Sequence, residues 1–232
     1  MIISGTIRGI YAICFCLALL VNIIFIVISL KKEYGIEIIL GFLFYENFGF
    51  IMGAKTLSYF ANYPKYESIL NSGMSAYGAL IGGALMVCVF CFEFKLPINE
   101  FLYKYVILLP LIYAIGKLGC FFGGCCYGIE SDIPISVIYL NSIEASNNIK
   151  LFPVQLIECI ANLMIFVWLV VCEKDNLTKM GWTFILCSFS KFTLDFFRAS
   201  WSNSISVNQW ISIFLFALGC GILLNSYRKS RR

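Results

Sequence analysis

The residues best suited to chemistry crowd into one stretch, Leu111 to Gly128, which reads L-I-Y-A-I-G-K-L-G-C-F-F-G-G-C-C-Y-G. It begins as the end of an apolar helix and finishes as a glycine- and cysteine-rich turn. Lys117 lies in the apolar part, where an unpartnered ammonium is costly. Gly116, Gly119, Gly123, Gly124 and Gly128 let backbone approach backbone, or let a ligand reach backbone N–H groups. A cation, small residues and three thiols (Cys120, Cys125 and Cys126) suit a site for an anionic lipid head group at a membrane edge. They suit equally a tight helix crossing.

Other ionisable residues fall inside apolar runs: Lys55, Lys104, Lys191, Glu37, Glu46, Glu158 and Asp195. Lys104 is near a helix start and can snorkel; the rest are functional candidates facing a bundle interior. Lys191, Asp195 and Arg198 follow i, i+4, i+7, so they share one helix face. Gln155, Glu158, Cys159 and Asn162 follow i, i+3, i+4, i+7 on another helix. Lipid tolerates neither stripe, so both should line a common interior. Cys14, Cys16, Cys159, Cys172, Cys187 and Cys220 lie in apolar runs as small fillers. Cys88-x-x-Cys91 has the gap of a zinc or redox pair, but no second pair matches it. The chain has no histidine, so a His-ligated metal or a His-based triad is excluded, and no metal or cofactor is expected.

The elements that position these groups are membrane helices. Of 232 residues, 60% are hydrophobic and 13% charged, and the mean hydropathy is +0.87. No soluble core could absorb that apolar surface. The cations are dispersed, so a nucleic-acid groove is excluded. Runs long enough to cross ~30 Å of hydrocarbon fall at roughly 9–30, 36–57, 75–94, 101–123, 154–172, 180–199 and 208–226. The expected fold is an all-α polytopic protein of about seven spans, one integral membrane domain over residues 1–232. The first span reads as retained rather than as a cleaved signal.

Lys31, Lys32, Lys95, Lys174, Lys179, Arg228, Lys229, Arg231 and Arg232 fall on one side; Arg8, Lys65, Lys150 and Arg198 fall on the other. Nine against four predicts an outside N-terminus and an inside C-terminus. Gly49-x-x-x-Gly53, Gly78-x-x-x-Gly82 and Gly119-x-x-x-Gly123 predict close helix contacts. The 127–152 connector follows the glycine turn and reads either as a cap over an outer site or as a solvated loop. No internal repeat with paired broken helices points to a transporter.

Four ordered segments carry a resemblance. Ser72-Gly-Met-Ser-Ala-Tyr-Gly-Ala-Leu-Ile-Gly82 resembles the G-G-M-S-x-H-G-G-L-I-G segment of bacterial prolipoprotein diacylglyceryl transferases. Gly116-Lys-Leu-Gly-Cys-Phe-Phe-Gly-Gly-Cys-Cys-Tyr-Gly128 resembles that family's G-R-x-G-N-F-x-N-x-E-x-x-G signature. Phe152-Pro-Val-Gln-Leu-Ile-Glu158 resembles H-P-S-Q-L-Y-E, and Lys191-Phe-Thr-Leu-Asp-Phe-Phe-Arg198 resembles R-x-x-x-E-F-F-R. Asn208-Gln209 falls where the family has G-Q, and Lys55 where it has G-G-R. The order and spacing agree over roughly residues 35–226.

The resemblance implies transfer of a diacylglyceryl group from phosphatidylglycerol to the lipobox cysteine thiol of a preprolipoprotein, in the bilayer of a bacterial inner membrane. A thioether forms and glycerol phosphate leaves. It places catalytic roles on Tyr77, Lys117 and Lys191. Substrate-binding roles fall on Lys55, Gly78, Gly119, Cys120, Cys125, Gly128, Gln155, Glu158, Asp195 and Arg198. The family's head-group arginines become lysines at positions 117 and 191, its histidines become Tyr77 and Phe152, and its asparagine and glutamate become Cys120 and Cys125. For Cys120, Cys125 and Cys126 a disulfide, a reactive thiol and inert packing all stay open. The departures also leave room for a non-catalytic phospholipid binder, a different acceptor, or a thiol–disulfide protein.

Overall fold

A computed structural model of the chain describes residues 1–4, 8–64, 66–142, 144–173, 175–200 and 204–230. Lys65, Lys174, Arg231 and Arg232 from the orientation count lie outside the described residues, as do the side chains of Arg8 and Lys229. Among the described residues the helices are α1 (Arg8–Leu30), α2 (Ile36–Ala61), α3 (Ala76–Glu93), α4 (Ile98–Gly123), α5 (Val154–Val171), α6 (Asn176–Asp195) and α7 (Val207–Ser230). All seven expected helices are present. Six are long and apolar enough to cross a membrane; α6 is the exception. Lys179, Thr183, Ser188, Lys191 and Asp195 lower its hydropathy, and Lys191 and Asp195 belong to the polar cluster around Glu158.

The chain divides into two compact units, Met1–Leu20 with Pro110–Arg232, and Val21–Leu109. In the second unit, α2 packs on α3 through a reciprocal glycine contact. A Cβ on Gly53 would overlap the Gly78 carbonyl and lie 2.7 Å from the Gly82 Cα, and a Cβ on Gly49 would overlap the Gly82 carbonyl. Two of the predicted small-residue repeats therefore meet each other, which is the close backbone approach such spacing permits. Phe42, Phe90 and Phe101 fill the space beside this contact, with ring centroids 5.1–5.9 Å apart. Buried Glu46 accepts a 2.6 Å hydrogen bond from Asn22.

In the first unit, α6 and α7 cross where a Cβ on Gly219 would lie 2.8 Å from the Gly181 carbonyl. A reciprocal capping box starts α7. Gln209 N–H donates to the Ser206 hydroxyl at 3.2 Å, and Ser206 N–H donates to Gln209 Oε1 at 2.9 Å. Two orphan N–H groups are satisfied this way, and it gives Gln209 a structural role.

The connector before α5, expected as either a cap or a solvated loop, is folded and adds a small sheet to the helical chain. β1 (Ile2–Ser4), β2 (Val137–Leu140) and β3 (Lys150–Leu151) form a sheet in the order β1-β2-β3, parallel then antiparallel. Its side chains bury Ile3, Val137, Tyr139, Ala145 and Leu151 against Phe121. The Tyr139 hydroxyl donates to the Phe121 carbonyl at 2.8 Å. The alternating burial of Val137-Ile-Tyr-Leu140 suits a strand with one face covered. The first residues of the chain are thus strand, paired with a segment more than a hundred residues later, rather than a lead-in to α1.

Candidate active site

Glu158 on α5 is the hub of the first unit's polar interior, at 1% exposure. Its Oε2 lies 2.7 Å from Lys117 Nζ on α4. Its Oε1 lies 3.3 Å from Lys191 Nζ on α6. Arg198 Nη2 donates to both oxygens at 3.1 Å. The Tyr113 hydroxyl donates to Oε1 at 2.8 Å. Asp195 completes the group: it hydrogen-bonds Lys191 one turn earlier, and its Oδ1 lies 2.9 Å from Arg198 Nε. The two polar stripes do converge, as their spacing predicts.

The helices explain this convergence. Lys191 and Asp195 are i, i+4 on α6, so one helix face presents both. Tyr113 and Lys117 are i, i+4 on α4, and the ammonium also sits 5.1 Å from the Tyr113 ring centroid. Sequence reasoning passed over Tyr113. Its place one turn before a buried lysine was the available signal. Asn162, on the predicted α5 stripe, instead donates to the Glu158 backbone carbonyl at 2.8 Å.

Arg198 lies past the end of α6 and is held by backbone pairing with the glycine turn. Ile129 N–H donates to the Phe197 carbonyl at 3.0 Å, and Ala199 N–H to the Tyr127 carbonyl at 3.1 Å. Gly128 is opposite Arg198 in this bridge. A Cβ there would overlap the Phe152 carbonyl and lie 2.9 Å from the Phe197 carbonyl. Phe152, where the family has a histidine, stacks on Phe197 with centroids 5.0 Å apart. Gly128→Ala must push these strands apart at a cost of about 1–3 kcal/mol. The expected result is a lower melting temperature in detergent together with reduced transfer. Unchanged melting would contradict this account of Gly128.

The remaining expected residues divide by unit. Gln155 Nε2 donates to the Cys125 carbonyl at 2.9 Å, tying α5 to the turn. Gly119 faces α1, where an added Cβ would lie 3.0 Å from Cys14 Cβ, so helix packing accounts for it. Cys120, Cys125 and Cys126 are free thiols, as are the other cysteines. Lys55, Tyr77 and Gly78 belong to the second unit. Lys55 Nζ donates to the carbonyls of Leu70 (2.7 Å) and Ser72 (3.1 Å), fastening the loop before α3. Tyr77 is buried in the first turn of α3. Gly78 N–H donates to the capping Ser75 hydroxyl at 3.3 Å, and its face meets Gly53.

Charge decides what the Glu158 cluster can do. Three cations (Lys117, Lys191 and Arg198) face two carboxylates (Glu158 and Asp195) in a region where exposure ranges from 1% to 14%. One positive charge is left over. A buried excess charge is unfavourable unless a counter-ion joins it. A single anionic group, such as a phosphodiester, balances the cluster.

The sequence matches the family described as "Prolipoprotein diacylglyceryl transferase" over residues 3–225. A phosphatidylglycerol–prolipoprotein diacylglyceryl transferase of Clostridium tetani is 28% identical over 215 residues, covering 87% of this chain and 86% of that protein. A second such protein, transferase 2 of Clostridium perfringens, is 32% identical over 164 residues, 68% of this chain and 63% of that one. A third, from Prochlorococcus marinus, is 25% identical over 218 residues, 85% of this chain and 72% of its own length.

Proposed function

The chain belongs to the prolipoprotein diacylglyceryl transferase family, and from that premise we propose that it moves the diacylglyceryl group of phosphatidylglycerol to a cysteine thiol of a prolipoprotein. The observation that carries this reading is the buried cluster around Glu158, one positive charge in excess, assembled from three of the family's motif segments.

The reaction makes a specific electrostatic demand. The acceptor thiol loses its proton, and the thiolate attacks the diacylglyceryl carbon next to the phosphate ester oxygen. A carbon–sulfur bond forms, that carbon–oxygen bond breaks, and glycerol phosphate departs. The phosphate passes from one negative charge toward two. Lys117, Lys191 and Arg198 hold it in the ground state and stabilise the growing charge, the effect expected of preorganised donors in a dry site. Glu158 and Asp195 keep the cations converged against their mutual repulsion. Tyr77, at the position of the family's histidine, is the proposed hydrogen-bonding or proton-accepting group. Gly119, Cys120, Cys125, Gly128 and Gln155 of the first unit, and Lys55 and Gly78 of the second, are the remaining proposed substrate-binding residues.

In this reading the whole chain acts as one integral domain of a bacterial inner membrane, with its N-terminus outside. The acceptor is a lipobox cysteine presented at the outer face. The apolar helices supply the multi-pass membrane anchor, and lipid reaches the cluster from the bilayer.

The test is transfer by full-length protein supplied with phosphatidylglycerol and a lipobox peptide, read as glycerol phosphate release and thioether formation. Wild type is expected to produce both in equal amounts. Lys117→Ala with Lys191→Ala should abolish both. Normal transfer by the double variant would overturn the assignment. Phosphatidylglycerol binding by wild type without release would replace it with a phospholipid-binding role.

A further inference from the structure

We propose that Cys120, Cys125 and Cys126 form a three-thiolate site for one Cu+ ion. Their sulfur atoms all lie within 4.8 Å of one another. A metal–thiolate bond is about 2.3 Å, and three such bonds around one ion hold the sulfurs about 4 Å apart. The trio is therefore close to a ligand set before any ion arrives. Among the described residues it is the one group of three or more potential metal ligands so gathered.

The backbone is built to bring the sulfurs together. Cys125 N–H donates to the Cys120 carbonyl at 3.2 Å, with Gly124 between them at a φ of 72°. This is the six-to-one bond of a Schellman turn, which reverses the chain over the helix end. Cys126 then takes a φ of 56°, a left-handed conformation that disfavours a residue with a Cβ. Such strain persists only where neighbours enforce it. Here Gln155 clamps the Cys125 carbonyl on one side, and the Gly128–Arg198 bridge holds the chain on the other.

The ligand chemistry selects the ion. Thiolates favour soft cations. The chain has no histidine, and both Glu158 oxygens are taken by cations. Among the described residues the group supplies three sulfurs and no fourth side-chain ligand, a set that three-coordinate Cu+ completes by itself, whereas Zn2+ would need a water as its fourth ligand. Three thiolates around Cu+ carry two negative charges. Lys117 and Arg198, both within electrostatic reach of Cys126, offset part of that charge. Binding releases the thiol protons to solvent. No oxidation state changes, and no oxidant is needed.

The experiment equilibrates reduced, full-length protein in detergent with Cu+ held by a coloured competing chelator. Wild type should withdraw one Cu+ per chain. Cys120→Ser, Cys125→Ser and Cys126→Ser should each leave that ion with the chelator, whereas Cys88→Ser with Cys91→Ser should still withdraw it. Cys126 is exposed, so Cys126→Ser is expected to melt as wild type does. A folded Cys126→Ser protein that keeps the ion overturns the proposal. So does wild type that withdraws none, displacement of Cu+ by Zn2+, or a disulfide among the three cysteines in protein isolated anaerobically. A second measurement needs no variant: Cu+ should protect Cys126 from maleimide, and equal labelling with and without the ion would overturn the site.

Discussion

Glu158→Gln in the full-length chain is expected to lower transfer by about a hundredfold or more per folded molecule and to reduce accumulation of the protein. The glutamine keeps the shape of the side chain and removes its charge. Lys117 at 2.7 Å, Lys191 at 3.3 Å and Arg198 at 3.1 Å then share one remaining carboxylate, Asp195. The buried excess rises from one positive charge to two. Removing one partner from a buried ionic group costs about 3–5 kcal/mol, because the others stay desolvated. The amide also turns an N–H group toward cations that need an acceptor. Glu158→Asp keeps the charge but withdraws it by one methylene, so partial recovery is expected. The measurement is glycerol phosphate release normalised to monodisperse protein. A Glu158→Gln variant with half of wild-type transfer would remove Glu158 from its central position.

Gly53→Leu is the second large effect, and it acts through packing alone. The α2–α3 contact brings Gly53 against Gly78 and Gly49 against Gly82, backbone on backbone. Even a single Cβ at Gly53 overlaps the Gly78 carbonyl. A leucine must separate the two helices, which breaks the van der Waals contact that holds membrane helices together. The expected outcome is loss of the protein from detergent extracts, with only aggregated or degraded material remaining. Gly116→Ala is the matched control. Nothing lies within 4 Å of a Cβ there, and alanine favours a helix over glycine by up to about 1 kcal/mol. It should accumulate at least as well as wild type. Equal accumulation of Gly53→Leu and Gly116→Ala would show that the glycine contact does not hold the unit together.

Both predictions rest on information that the linear chain carries unequally. Helical periodicity is local, so the i, i+4 spacing of Lys191 and Asp195 was enough to place them on one face, whereas Arg198, past the end of α6, is positioned by backbone pairing with the glycine turn. The glycine repeats likewise announced close approach. Neither pattern names its partner. That Gly53 meets Gly78 while Gly119 meets Cys14 on α1 depends on which helices become neighbours. Tyr113 escaped notice because a tyrosine in an apolar run is ordinary until a carboxylate is found 2.8 Å from its hydroxyl. Phe152 and Gly128 looked like departures from, or matches to, a family motif. In three dimensions Phe152 stacks on Phe197 and Gly128 admits the backbone that carries Arg198. The small sheet was the least legible feature, since β1 and β2 are separated by four helices.

By itself the sequence determined the membrane class, the helical segments, the polar faces of α5 and α6, and the presence of ionisable residues inside apolar runs. Composition and spacing along one helix suffice for these, because hydropathy and the 3.6-residue repeat act over a few turns. Only the tertiary structure decided that Glu158 gathers Lys117, Lys191, Arg198 and Tyr113 at one point. It alone folded Cys125 and Cys126 back onto Cys120, and it alone paired the first strand with Val137–Leu140. These are contacts between distant segments, and their geometry is set by how whole helices pack rather than by any residue's neighbours in the chain.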